Sequence, residues 1–174
     1  MKDRKLLNVE LHRISVEQYR SRAASGLAVV LDNIRSAHNV GSAFRSADSF
    51  GVDKVFLCGI CAVPPSADIH KSALGAEESV PWEYAEDTVS VIRRLREDGY
   101  TVIAVEQTVH AEKLGTFRRD PGRKYALVFG NEVSGVQQKV VDASDLSLEI
   151  PQSGTKHSLN VSVAVGVVLW EMVR

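Results

Sequence analysis

Residues 27–50 read LAVVLDNIRSAHNVGSAFRSADSF, and the way this stretch folds decides the rest of the chain. Leu27–Leu31 is a continuous apolar run, the composition of a strand buried on both faces. From Asn39 to Phe50, Val40, Ala43, Phe44 and Ala47 recur at the spacing of one helical face. The turn between them is polar, with Asn33, Arg35, His38 and Asn39. A strand passing through a short turn into a helix is the first half of a strand–helix–strand unit, and such units build parallel sheets.

The alternation continues outward. Lys54–Cys58, Tyr100–Val105, Tyr125–Phe129 and Leu146–Ile150 read as further buried strands, with a weaker one at Val80–Ala85. Thr88–Asp98 carries Val89, Ile92 and Leu95 at helical spacing, and Gly99 is its stop. Gln137–Ala143 reads as a short helix. The run from Ser158 to the end alternates at first like a strand, but its length favours a helix. The predicted fold class is α/β, a parallel sheet flanked by helices. Residues 1–26 form a separate amphipathic, helical segment, and residues 27–174 are the main domain.

The chain has 174 residues, 44% hydrophobic and 25% charged, which suits one folded domain and argues against disorder. Net charge is −1, so a nucleic-acid face has to be a local basic patch. Candidates are Arg4, Lys5, Arg13, Arg20 and Arg22, and the cluster Arg118, Arg119, Arg123 and Lys124. No uninterrupted apolar span or signal core is present, so no membrane association and a cytoplasmic location are expected. Cys58 and Cys61 end a strand and precede a Pro-Pro turn; a redox pair would open a helix, and zinc would need more ligands. Reduced, structural thiols are expected.

In parallel sheets the chemistry sits on the loops beyond the carboxyl ends of the strands. Three such loops are rich in polar residues. In Asn33–Arg45, Arg45 follows Gly41 by one helical turn; Gly41 leaves room for a close approach and Arg45 suits an anion. Equally, Asn39 could be a helix cap and Arg45 a solvated surface residue. FGNEVSG (129–135) starts like a phosphate loop, but Val136-Gln137 stands where Lys-Ser/Thr would be, so a triphosphate enzyme is not expected. PQSGTKH (151–157) ends at Ser158; a His-Ser hydrolase is not expected, because no G-x-S-x-G elbow is present.

Taken together, the loops resemble the SpoU/TrmH family of the SPOUT superfamily of RNA methyltransferases. Asn33, Asn39, Gly41 and Arg45 match its first motif, FGNEVSG (129–135) its second and IPQSGTKHSLNVSVA (150–164) its third. The resemblance covers roughly residues 27–174. It implies a C-terminal deep trefoil knot, an exception to unknotted topology, that binds S-adenosylmethionine, and it implies a homodimer. Carried over by motif, the cofactor-binding residues are Gln107, Gly130, Ile150, Leu159 and Ser158. The catalytic set is Arg45, Asn39, Glu132, Ser158 and Asn160, and no metal is needed. On this reading Ser158-Leu159-Asn160 opens the last helix, and Ser158, Ser162 and Gly166 form a small-residue stripe facing the knot or a dimer mate. Ordinary helix packing is the plain alternative for that stripe.

The implied reaction is methylation of a ribose 2′-hydroxyl of RNA. GYTVIAVEQT (99–108) with the third motif looks closest to the tRNA D-loop guanosine branch, although long terminal extensions for gripping RNA are not expected in this chain. The alternatives are an rRNA substrate, or a non-catalytic RNA-binding protein that retains the knot.

Overall fold

The computed structural model describes residues 3–174. A seven-stranded sheet has the order β3-β2-β1-β6-β4-β7-β5. The strands are β1 (Leu27–Asp32), β2 (Lys54–Cys58), β3 (Trp82–Ala85), β4 (Tyr100–Val105), β5 (Glu112–Lys113), β6 (Lys124–Gly130) and β7 (Leu146–Glu149). Every pairing is parallel. The helices are α1 (Val16–Ser21), α2 (Ala37–Ser49), α3 (Ala67–Ala73), α4 (Ala76–Ser79), α5 (Thr88–Glu97), α6 (Gln138–Ala143) and α7 (Val161–Val173).

Strand alternation divides the core into two layers. Leu27, Val29 and Leu31 of β1 pack with α2, α3 and α7. Ala28 and Val30, pointing the other way, pack with α5 and α6. A strand covered on both faces has to be apolar throughout, and β1 is buried at every position.

Register places the functional loops. Asp32 pairs with Gly130 across β1–β6, and Val105 of β4 pairs with both Phe129 and Leu148. The loops after β4, β6 and β7 therefore leave one sheet edge side by side.

Several elements differ from the sequence reading. The N-terminal segment is not one helix: among its described residues only Val16–Ser21 is α-helical, with a short 3-10 turn at Asn8–Leu11. Met1 and Lys2 lie outside the described residues. Apolar residues alone do not hold a helix where no neighbour buries them, and Leu6, Leu7 and Val9 are exposed. Tyr19 is buried in the main core, and its hydroxyl donates to the Val52 carbonyl at 2.8 Å. The helices α3 and α4 lie in a region the apolar periodicity did not mark. The last helix begins at Val161 rather than Ser158, because Asn160 is its cap: its side-chain oxygen accepts from the Ser162 amide at 2.9 Å. Likewise Ser36, not Asn39, caps α2, accepting from the Asn39 amide at 3.3 Å. Asn39 is thereby free for other partners.

Two further expectations change. Gly41 makes room for a helix and not for a ligand: a Cβ there would run into Ser72 Oγ and the Ile69 carbonyl of α3. Ser158 lies off the helix, and Gly166 faces Ser46 of α2, so the small-residue stripe resolves into ordinary α2–α7 packing. Cys58 and Cys61 are free and buried, as expected. Burial pushes their thiols up to about 12 and about 11. Cys61 serves as a tie, accepting from the Ile34 amide at 3.1 Å and donating to the Leu31 carbonyl at 3.2 Å.

Candidate active site

The three adjacent loops enclose a cavity of about 410 Å³. Its wall includes Gln107 from the loop after β4, Gly130 and Glu132 from the loop after β6, and Ile150, Ser158 and Leu159 from the segment between β7 and α7. Phe129, Leu148 and Val161 make its apolar floor. Every residue expected to bind a cofactor is on this wall.

The loops are locked to one another. Gln107 Nε2 donates to the His157 carbonyl at 2.8 Å, joining the first loop to the third. Glu106 accepts from the Val136 amide at 2.9 Å and from the Gln107 amide at 2.8 Å, joining the first to the second. Gly135 has φ +66°, and a Cβ there would strike the Glu106 carboxylate, so glycine is required twice over. A Cβ on Gly130 would overlap the Gly135–Val136 backbone. That glycine lets the FGNEVSG loop fold back on itself, so its part in shaping the cavity is indirect.

Beside the cavity, three members of the expected catalytic set meet. Asn39 Nδ2 donates to Glu132 Oε1, and Asn160 Nδ2 donates to Asn39 Oδ1 at 3.2 Å. Asn39 is 8% exposed. An amide so placed uses its donor and its acceptor at once, which orients both neighbours. Ser158 is on the cavity wall, exposed.

Arg45 stands apart. It is exposed on α2, and among the described residues its guanidinium makes no ion pair or hydrogen bond; its carbonyl accepts from Ser49 Oγ at 2.8 Å. Six residues beyond Asn39, it lies about 120° away round the helix. Within one chain the structure does not bring it into the cavity.

Two residues at the end of β1 and the start of the loop after it have structural duties. Asn33 adopts φ 59°, and its side chain accepts from the Ile60 amide at 3.2 Å, tying the loop after β1 to the loop after β2. Asp32 directly follows the apolar run Leu27–Leu31 and is the last residue of β1. It is fully buried and accepts from Asn33 Nδ2 at 2.9 Å, Thr88 Oγ1 at 2.6 Å, and Gln137 through both its amide at 3.1 Å and its Nε2 at 3.0 Å. A buried carboxylate needs such donors. This one pins the starts of α5 and α6 to the end of β1. The one signal in the sequence was a charge directly abutting a strand of buried character.

The basic candidates are partly structural as well. Arg119 donates to the Met172 carbonyl at 3.1 Å and to the Ser25 carbonyl. Arg22 donates to the Gly51 carbonyl at 2.6 Å, and Arg20 to the Glu78 carbonyl at 2.5 Å.

Comparison with known proteins accords with this geometry. A profile of the SpoU rRNA Methylase family matches residues 26–170. A 23S rRNA (guanosine-2′-O-)-methyltransferase, RlmB, from Nitrosomonas europaea is 36% identical over 148 residues, 85% of this chain and 56% of that protein. The chain thus spans little more than half of that relative. An AdoMet-bound rRNA methyltransferase from Sinorhizobium meliloti superposes with a TM-score of 0.79 at 27% identity, over 88% of this chain and 59% of that one. A structure described as giving insight into 2-OH methylation of C/U34 on tRNA superposes with a TM-score of 0.72 at 26% identity, over 84% of this chain and 93% of that one. Motifs, superposed fold and matched span agree, and the chain belongs to the SpoU rRNA methylase family.

Proposed function

We propose that this protein transfers a methyl group from S-adenosylmethionine to a ribose 2′-hydroxyl of RNA. The observation that carries the proposal is the cavity between the loops after β4, β6 and β7, with the Asn160–Asn39–Glu132 chain at its side. The cavity suits the cofactor. Its volume lies within the usual range for small-molecule sites, roughly 300–1,000 Å³, its floor is apolar, and Glu106, Glu132 and Glu149 on its wall are compatible with a sulfonium cation. When bound, the cofactor supplies an electrophilic methyl group.

The protein's own contribution is positional and electrostatic. Gln107 closes the loops around the ligand, and Leu159 and Ile150 cover its apolar part. Asn39 holds Glu132 and Asn160 in one orientation, so the incoming hydroxyl meets a prearranged set of polar groups. Arg45 cannot act as a base, because guanidinium stays protonated. Its role is to hold a phosphate and stabilise developing alkoxide charge; the proton leaves to a neighbour such as Glu132 or to water.

Because Arg45 points away from the cavity of its own chain, the working unit is a homodimer in which it meets RNA at or near a neighbouring subunit. Supporting this, one face of α7 carries exposed Val163, Val167 and Trp170, at 50%, 39% and 59%. The C-terminal segment forms a trefoil knot; the order β6-β4-β7 and the Gln107–His157 tie across the loops support that reading. No described helix is long and apolar enough to cross a membrane, and the protein works in the cytoplasm, where its RNA substrate is.

The substrate is tRNA or rRNA. The Nitrosomonas relative is named for 23S rRNA guanosine, whereas the neighbour matched over 93% of its own chain is described for tRNA; the latter, like the sequence resemblance, favours tRNA, with a D-loop guanosine as the first position to examine. The deciding experiment incubates the full chain with methyl-labelled cofactor and separate tRNA and rRNA pools, then maps ribose methylation. Label entering tRNA alone supports the tRNA reading, and label entering rRNA alone favours the rRNA alternative. Cofactor binding without transfer to either pool would favour a non-catalytic RNA-binding protein.

A further inference from the structure

At the far edge of the sheet, beyond β2 and β1 from the cavity described above, α3 and α4 meet at a tight corner. Leu74 and Gly75 make the corner, with φ 54° and 90°. It brings His70 of α3 close to Glu77 and Glu78 of α4. One potential ligand atom from each lies within 4.8 Å of the others. His70 Nδ1 stands 2.6 Å from Glu77 Oε1.

The second oxygen of Glu77 is the telling one. The Glu77 side chain is only 10% exposed, and its Oε2 is buried with no hydrogen-bond partner. A carboxylate oxygen withdrawn from water without a donor is unfavourable, and such atoms are uncommon in folded proteins. Nearby cations do not relieve it. Arg20 is engaged by the Glu78 carbonyl, and Lys71 faces Asp68 at 3.4 Å. His70, Glu77 and Glu78 also line one cavity of about 590 Å³, with Pro64, Pro65 and Trp82.

One imidazole and two carboxylates form a mixed nitrogen–oxygen donor set. Such a set suits Zn²⁺ or a neighbouring divalent transition cation better than Ca²⁺ or Mg²⁺, which take oxygen ligands. Bonds of about 2.0–2.2 Å set the three donors roughly 3.5 Å apart, so the His70–Glu77 contact opens from 2.6 Å as the metal takes the place of their hydrogen bond. His70 and Glu78 are exposed, so their side chains are free to turn inward.

We propose that His70, Glu77 and Glu78 form a binding site for a divalent transition cation that staples the α3–α4 corner. The inference does not depend on the RNA-methylation reading. Since α3 packs on α2 at Gly41, the metal stiffens the layer that presents Asn39 without entering the reaction.

The test is calorimetric titration of ZnCl₂ into the chelator-treated full chain. One equivalent should bind well below about 1 mM, with a rise in melting temperature, and excess Mg²⁺ or Ca²⁺ should not displace it. His70→Gln and Glu78→Gln, both at exposed positions, should each weaken binding at least about tenfold while leaving the metal-free melting temperature nearly unchanged. Glu77→Gln should abolish binding; if that variant fails to fold, the two exposed variants decide. No binding up to about 1 mM, or the same affinity in His70→Gln and Glu78→Gln, overturns the proposal.

Discussion

Asn160 Nδ2 donates to Asn39 Oδ1 at 3.2 Å, joining residues 121 apart in the chain. Asn160 has a second duty, because its oxygen caps α7. The two duties use different atoms, so one substitution separates them. Asn160→Asp keeps the cap acceptor and loses the donor to Asn39. It should leave the melting temperature within a few degrees while lowering methyl transfer strongly. Asn160→Ala loses both, with an added stability cost of about 1 kcal/mol for the cap. Thermal unfolding and single-turnover methylation on the two variants check this; equal activity in Asn160→Asp and wild type would remove the Asn160–Asn39 contact from the mechanism.

Arg45 is exposed, with its guanidinium unengaged within the chain. Arg45→Ala should therefore cost no more than about 0–1 kcal/mol of stability and leave cofactor affinity intact, since the cavity wall lies elsewhere. Methyl transfer should fall at least about a hundredfold, the usual loss for one positioned charge-stabilising donor. Arg45→Lys should not restore it fully, because a point charge lacks the planar fork. A near wild-type turnover rate in Arg45→Ala would refute the assignment.

For the cofactor cavity, Gly130→Val is an indirect probe. It should lose binding by disrupting the 129–135 loop, since its Cβ meets the Gly135–Val136 backbone. A cleaner probe is Gln107→Ala, which removes the Gln107–His157 tie. It should weaken S-adenosylmethionine binding several-fold, about 0.5–1.5 kcal/mol, with little change in melting temperature. Gln152→Ala, at an exposed position on the same wall, should be milder. Calorimetry ranks the three; unchanged affinity in Gln107→Ala would mean that the tie does not shape the site.

Burial raises both thiols far above the ordinary range. The sign is that of an acid whose charged form is disfavoured, so the neutral thiol persists until the pH approaches about 11 for Cys61 and about 12 for Cys58. At pH 8 an exposed thiol is roughly one quarter ionised. Native protein should thus react negligibly with an alkylating reagent at pH 8, and both thiols should react once it is unfolded in denaturant. Rapid labelling of the native protein would show that the end of β2 opens.

Trp170 is 59% exposed although its ring meets Phe50 edge-on at 6.2 Å. If α7 carries the dimer interface, sedimentation should give about twice the chain mass, and Val167→Glu with Trp170→Asp should give a monomer with reduced transfer. A wild-type monomer that still methylates RNA would refute the dimer.

The strands and the family were legible in the sequence because their signals are local. LAVVL, KVFLC and YTVIAV are apolar at consecutive positions, and only a sheet covered on both faces asks for that. The residues lining the cavity were legible through motif order, since each loop carries its own pattern. What tertiary structure decided were the partners. That Gly41 faces α3, that Asp32 pins two helices, and that Asn160 meets Asn39 all depend on contacts between segments distant in the chain. The α3–α4 corner was invisible for the same reason. Helices as short as Ala67–Ala73 and Ala76–Ser79 are not stable by propensity; they exist because α2 and the sheet edge hold them. Conversely, the N-terminal segment looked more helical than it is, because periodicity records which residues could be buried, and only the folded neighbours determine whether a surface is there to bury them.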